Sequence, residues 1–484
     1  MRSGVQRQAS LRGRINHDYS HSPGRRWACV RAKVHNPTLM TSQAAHDYNS
    51  LLESEPALLE ASRDFLEQKL NDVQFVFGGR MLSPYLRPHF VTQNEWKQIK
   101  TTCETVWRAI EKVGRIAPTN GLMLEQIGLT EGERELVSVD PGYEEVSVTS
   151  RLDSFLTDET YQFVELNAEC PAGIAYQDVA AEIFCDLPVM REFSRRHKVT
   201  PMYCRRNLLE ALIRIYKRVR GRDSKPQIGI VDYKGLPTQR EFELFKEFFE
   251  AHGFATTIVD PRDVELSEGK LKHGDFRIDL VYRRVLTTEL LEKADECASF
   301  IKAYKSGAAV FVNSFRTKYV HKKMLFGVLT DERHQHCFSK AEQDAIRSSV
   351  PWTRRVEDTL TTYQGQQIDL LEFVRTRRDR LVLKPNDDYG GHGIYIGWES
   401  GESDWDRAIE HALAGDYLAQ ERVTTSREVF PFVDAAGVHM VEQLLDLDPL
   451  LFFGEVSGGF TRLSSSSLAN VTSGAGMVPT MIVD

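Results

Sequence analysis

Residues 381–398 read LVLKPNDDYGGHGIYIGW. An apolar run, Leu381 to Leu383, ends in Lys384; Pro385 to Asp388 break it with turn formers, and Gly390, Gly391 and Gly393 follow before β-rich residues resume at Ile394 to Trp398. The pattern predicts strand, glycine loop, strand. Glycines this close together let a backbone approach a ligand and aim several N–H groups at it, and polyphosphate is the ligand such a nest suits best. Lys384 leaves the strand beside the loop, where an ammonium reaches phosphate oxygens.

The loop lacks the Gly-Lys-Ser/Thr of a P-loop and the spacing of the dinucleotide fingerprint, and no kinase catalytic-loop or Asp-Phe-Gly triplet accompanies it. A lysine before a glycine loop between two strands instead resembles the ATP-grasp fold.

A second stretch, Ser150 to Asp178, carries two strand patterns around the turn Thr157 to Thr160. With the turn centred near Glu159, Asp153 and Glu165 oppose each other, and Asn167 shares their face. Opposed carboxylates repel unless a cation lies between them, and hard oxygen donors in this number suit Mg²⁺ shared with substrate phosphates. Asp…Glu-x-Asn followed by a proline turn resembles the magnesium-binding end of ATP-grasp ligases such as D-alanine–D-alanine ligase and glutathione synthetase. In those families it follows the glycine loop; here it precedes it by more than 200 residues. The order resembles a circularly permuted ATP-grasp protein.

The resemblance implies an α/β fold: an ATP-grasp core, circularly permuted, with a central parallel-sheet domain. Helical patterns at 47–70 and 94–114 precede the hairpin, and Met81 to Val91 reads as a loop containing Arg87. Ile228–Asp232, a helix over Thr238–His252, Ala255–Val259 and Asp279–Tyr282 form an α/β unit. Four segments are expected: an extension over 1–39, N-terminal helices with the permuted metal-binding part over 40–200, the α/β substrate domain over 201–315, and an ATP-binding lobe over 316–484. The extension carries seven Arg and one Lys against a single acid; it reads as an over-extended frame beginning naturally at Met40, with a transit peptide as the rival.

The same resemblance implies site roles. ATP phosphates fall to Lys384, Gly390, Gly391, Gly393 and one lysine among Lys318, Lys322 and Lys323, with Lys323 preferred. Glu421 falls at the adenine and Glu428 at the ribose. Asp153, Glu165 and Asn167 hold Mg²⁺. Arg283 and Arg284, at a strand end of the α/β unit, suit a substrate carboxylate. Arg462, with Asn470, Gly474 and Gly476, resembles the arginine and glycine loop that hold the transferring phosphate and the acyl substrate, with Arg462 and Lys384 catalytic. The implied activity is ATP-dependent ligation of a small carboxylic acid to an amine; a nucleotide-binding scaffold and a phosphotransferase are the alternatives.

Composition bounds the rest. The chain has 484 residues, 41% hydrophobic and 27% charged, with net charge −8. These values give no bias toward nucleic acid, and no apolar run is long enough to span a bilayer. Seven scattered cysteines without a C-x-x-C pair point to a reducing, cytoplasmic setting. His334, His336 and Cys337 read as a polar segment rather than a zinc site, and Cys170 as a small buried thiol. Oligomeric state is not legible.

Overall fold

The carboxylate hairpin forms at the predicted turn and then joins strands from the other end of the chain. In the computed structural model, which describes residues 37–221, 225–388 and 390–484, Thr149–Leu156 pairs with Tyr161–Asn167 and Asp153 lies directly opposite Glu165. The outer edge of Thr149–Leu156 pairs antiparallel with Gly437–Phe452, placing Ser154 beside Leu447 and Arg151 beside Leu450. Glu455–Ser464, Gly476–Val483 and His89–Thr92 extend the sheet, with Arg427–Asp434 and Val199–Pro201 added alongside, for eight strands. The predicted extension over 1–39 lies outside the described residues up to Asn36; a helix begins at Pro37.

The long helix Gln93–Ile116 covers this sheet. A reciprocal cap fixes its start: the Glu95 amide donates to Thr92 Oγ1 (3.1 Å), and the Thr92 amide donates to Glu95 Oε2 (2.7 Å). Trp96, Ile99, Cys103, Val106, Ile110 and Val113 recur at helical spacing and are all buried. The paired helices expected over 47–70 are Pro37–Ser54 and Pro56–Asp72. Met81 to Val91 is not wholly loop: Arg80–Met81 and His89–Thr92 are strands, and Arg87 between them is buried.

The α/β unit has four parallel strands in the order Val310–Val312, Leu280–Arg283, Ile228–Val231, Thr256–Val259. The helix Gln239–Ala251 crosses from Ile228–Val231 to Thr256–Val259 and buries Phe242, Phe245 and Phe249.

The glycine-loop lobe is a separate antiparallel sheet ordered Thr353–Arg355, Tyr417–Glu421, Leu381–Pro385, Tyr395–Ile396. Helix Glu402–Ala414 packs Trp405, Ile409 and Ala412 onto it beside Leu381 and Leu383. The return strand is shorter than its β-rich composition suggests. It ends at Ile396 because the chain turns sharply at Gly397–Glu399 beneath the Arg378–Arg380 turn. A Cβ on Gly397 would sit 1.9 Å from the Arg378 carbonyl oxygen and 2.6 Å from that of Leu381. Backbone cannot retreat as a side-chain tip can. Gly397→Ala is therefore expected to destabilise this lobe by about 3 kcal/mol or more, read as a loss of cooperative unfolding free energy in urea. A normal denaturation midpoint would refute the tight crossing.

Candidate active site

One cavity of about 960 Å³ opens between the glycine-loop lobe, the carboxylate hairpin and the α/β unit. Asp153, Glu165, Asn167, Arg284, Lys323, Lys384, Gly390, Gly391, Glu421, Arg462 and Asn470 all line it. The hairpin and the strand leading into the glycine loop are more than 200 residues apart in sequence, yet they touch directly: Lys384 Nζ donates to the Val164 carbonyl (3.3 Å) as well as to Gln420 Oε1 (2.7 Å). Lys323 Nζ stands 3.6 Å from Glu165 Oε2, and its backbone N–H bonds the Asn386 carbonyl (2.9 Å).

Gly390, Gly391 and Gly393 all adopt positive φ, +75°, +78° and +66°. Positive φ strains residues with side chains and suits glycine, and three such residues in four fold the loop back so that Gly390 and Gly391 face the cavity. Gly393 instead packs beside Tyr417, whose hydroxyl would be 2.7 Å from a Cβ there, and it is not part of the cavity wall.

Charge is concentrated along the sheet floor. Arg462 lies opposite Asp446 on the neighbouring strand. Its Nη2 donates to Asp446 Oδ2 (2.6 Å) and to Asp153 Oδ2, while Nε lies 2.9 Å from Asp448 Oδ2 in poor alignment for a hydrogen bond. Arg151 grips Asp153 with two bonds, 2.7 and 3.0 Å. Asn167 Nδ2 donates to Asp153 Oδ1 (3.0 Å) and Glu165 Oε1 (3.3 Å). Burial opposes ionisation of Asp153, but Arg151 and Arg462 outweigh it and hold the carboxyl well below its usual range. Asp446 and Asp448 go the other way: burial, with neighbouring carboxylates, pushes both up despite Arg462. Burial likewise lowers Lys384 to about 8, with Glu165 opposing the shift and Lys323 adding to it.

The three aspartates offer oxygens within 4.8 Å of one another, and Asp446 Oδ1 is buried without a partner. Hard oxygen donors with spare lone pairs suit a divalent cation such as Mg²⁺. Both oxygens of Asp153 are engaged by arginines, whereas Glu165 is part-exposed toward the cavity. Among the described residues, no comparable cluster includes His334, His336 or Cys337. His334 is instead bound to Gln126 (2.6 Å).

Several expected site residues lie elsewhere. Glu428 is on the opposite sheet face, because it pairs with Gln443, two residues from Leu445, while Leu444 and Asp446 face the cavity. It bonds Arg87 (2.8 Å) in a second cavity. Arg283 is fully buried and bound to Glu169 and to the carbonyls of Asn313, Val285 and Ser314, so it holds the α/β unit to the hairpin's exit rather than facing the cavity. Gly474 ends a turn at φ +106°, and Gly476 opens its strand beneath Tyr85; neither lines the cavity, although Asn470 to Thr472 do. Of the rival lysines, Lys318 also reaches the cavity wall but is spent on Asp387, Glu169 and Glu133, while Lys322 is buried against Glu133 and Asp387 outside it. Glu421 accepts from the Tyr363 hydroxyl (2.7 Å) at the far wall.

Sequence reading missed Arg151, Asp446 and Asp448. Asp446-Leu-Asp448 inside an apolar strand is a period-two signal for two acids on one face, and it was available. Asp232, also missed, lines the cavity near Arg284, and burial raises its carboxyl to about 7 against the pull of Arg284. Cys170 lines it too, its thiol pushed up to about 12 by burial. The six described cysteines are free, and no helix among the described residues is long and apolar enough to cross a membrane.

The sequence matches no model of a known protein family and no curated protein. Among solved structures, a glutathione synthetase-like effector from Globodera pallida superposes with a TM-score of 0.53 at 12% identity, covering 94% of this chain and 100% of that one. The two share a mixed α/β fold. A protein provisionally named gamma-glutamylcysteine synthetase, from Methylobacillus flagellatus, covers 78% of this chain and 85% of its own at 10% identity, with a TM-score of 0.39, too low to add to that.

Proposed function

We propose that this protein is a carboxylate–amine ligase that uses ATP and Mg²⁺, built on an ATP-grasp core whose sequence order is circularly permuted. The observation that carries the reading is the single cavity lined by Lys323, Lys384, Gly390 and Gly391 on one side and by Glu165, Asn167 and Arg462 on the other. The partition into 40–200, 201–315 and 316–484 belongs to the same reading.

In this reading the backbone N–H groups of the glycine loop and the ammonium groups of Lys384 and Lys323 hold the phosphates of ATP, and Glu421 faces the adenine. Glu165 and Asn167, with Asp153 behind them, would hold Mg²⁺, which would supply charge neutralisation for the transferring phosphoryl group. The substrate carboxylate attacks the γ-phosphorus, the bond to the bridging oxygen breaks, and ADP leaves. The acyl phosphate is then attacked by an amine, giving an amide, phosphate and a released proton. Arg284 holds the substrate's second charged group, and Arg462 stabilises the oxyanion once it turns from its aspartates toward the cavity. Shielding of the cavity by the glycine loop limits loss of the acyl phosphate to water.

The test is ADP release by purified protein given ATP, Mg²⁺ and pooled amino acids and peptides. Release requiring both an acid and an amine, with an amide in the mass spectrum, is the expected result. Release with one non-carboxylate acceptor makes the protein a phosphotransferase. Tight ATP binding without turnover makes it a nucleotide-binding scaffold.

A further inference from the structure

A second cavity, about 450 Å³, lies on the opposite face of the eight-stranded sheet. The strand Gly437–Phe452 separates the two: Leu444 and Asp446 line the first cavity, Leu445 and Leu447 the second. Its remaining wall comes from the helix Pro37–Ser54, the strand His89–Thr92 and the start of Arg427–Asp434.

Arg87, only 1% exposed, stands in this wall. Its Nη2 donates to Glu428 Oε2 (2.8 Å) and to the Val429 carbonyl (3.1 Å), and its guanidinium lies 3.9 Å over the Phe430 ring. These contacts fix the group's plane. Nε and Nη1, which together carry three N–H donors, find no acceptor. A buried cation with most of its donors unmatched is costly to keep, and native proteins seldom keep one without a partner. In the same cavity Asn49 Oδ1 is a buried acceptor with no donor, its Nδ2 being spent on the Val429 carbonyl (3.2 Å). Unmatched donors of a cation and an unmatched acceptor therefore share one chamber.

The rest of the wall narrows the chemistry. Two arginines, Arg87 and Arg427, face three carboxylates, Glu95, Asp158 and Glu428. His89 does not add positive charge, since burial lowers it to about 4, and its Nδ1 is engaged with Thr461 Oγ1 (2.7 Å). A bare anion would meet a wall with excess negative charge; a molecule carrying both signs would not. We propose that this cavity is a second ligand site, for a free α-amino acid or zwitterion of that size, with its carboxylate on Nη1 of Arg87 and its ammonium toward Asn49 Oδ1 and Asp158.

Calorimetric titration of the full chain, without ATP, with individual amino acids is paired with crystals grown in the amino acid that binds. The expected density shows a carboxylate against Arg87, and Asn49→Ala and Asp158→Asn each weaken binding by about tenfold, the worth of one charge-assisted hydrogen bond, without altering ATP affinity. Both changed residues are peripheral to the core, so folding survives. Water alone at Arg87, binding at crystal concentration only, or amino-acid affinity unchanged in both variants would overturn the site. Absence of ligase turnover leaves this test intact, because it is read without nucleotide.

Discussion

Arg462→Ala is expected to cost both turnover and stability, and the two losses have separate signatures. The guanidinium is the shared partner of Asp153, Asp446 and Asp448, all buried. Removing one partner from such a cluster typically costs about 3–5 kcal/mol, because the charges left behind stay desolvated. The cost depends on pH in a definite direction. Asp446 already sits near 7, raised from 3.8 chiefly by burial, so its contribution to stability is complete below about 4 and is lost as pH rises toward 7. Without Arg462 the aspartates rise further, and the variant should lose most stability at pH 8 while recovering toward pH 5. Mg²⁺ should also raise its melting temperature more than it raises that of the wild type, since three oxygen donors within 4.8 Å would then lack their resident cation. Equal stability of variant and wild type at both pH values would sink this account. Turnover should fall by about a hundredfold or more even where the variant is folded, so activity measured at pH 6 with protein shown to be folded isolates the chemical role.

Lys384→Met should leave the fold intact and abolish productive nucleotide use. Burial lowers the Lys384 ammonium from 10.5 to about 8, so at pH 7 the charged form is held at a cost of about 3 kcal/mol. Methionine keeps the apolar stem and removes that cost, and thermal stability at pH 7 should match or exceed the wild type. In the proposed ligase the same ammonium contacts phosphate oxygens. ATP affinity of the wild type should therefore be constant below pH 8 and fall about tenfold for each pH unit above it, until a neutral lysine no longer binds. The variant should bind ATP about a hundredfold more weakly at pH 7, with no dependence on pH between 7 and 9. A wild-type affinity flat across that interval would show that Lys384 does not meet the phosphates.

Both predictions rest on residues whose legibility in the sequence differed. Lys384 announced itself because strand, turn and glycines follow one another within a dozen residues, and local spacing fixes what a single strand-loop-strand presents. Asp153 opposite Glu165 was equally readable, since one tight turn sets the register of the hairpin. Glu428 is expected at the ribose from its place after Glu421 in the resembled family's order, but the structure sets it on the other sheet face: the chain changes sheets between them, and order along the chain across such a passage says nothing about which face a side chain takes. Arg283 ends its strand and Arg284 is the first residue beyond it, so adjacent positions part company, leaving Arg283 fully buried on Glu169 and Arg284 in the cavity wall.

What the sequence determined by itself was local: the glycine loop with its lysine, the paired acids of the hairpin, the capped apolar helix over Gln93–Ile116 and the parallel α/β unit. Each follows from backbone sterics and hydrophobic period within a short window. Tertiary structure alone decided that Asp446 and Asp448 join Asp153 around Arg462, and that Arg87 and Glu428 meet behind the sheet. Those contacts depend on which strands become neighbours, and strand order is fixed by burial of the whole apolar surface rather than by any segment's own residues.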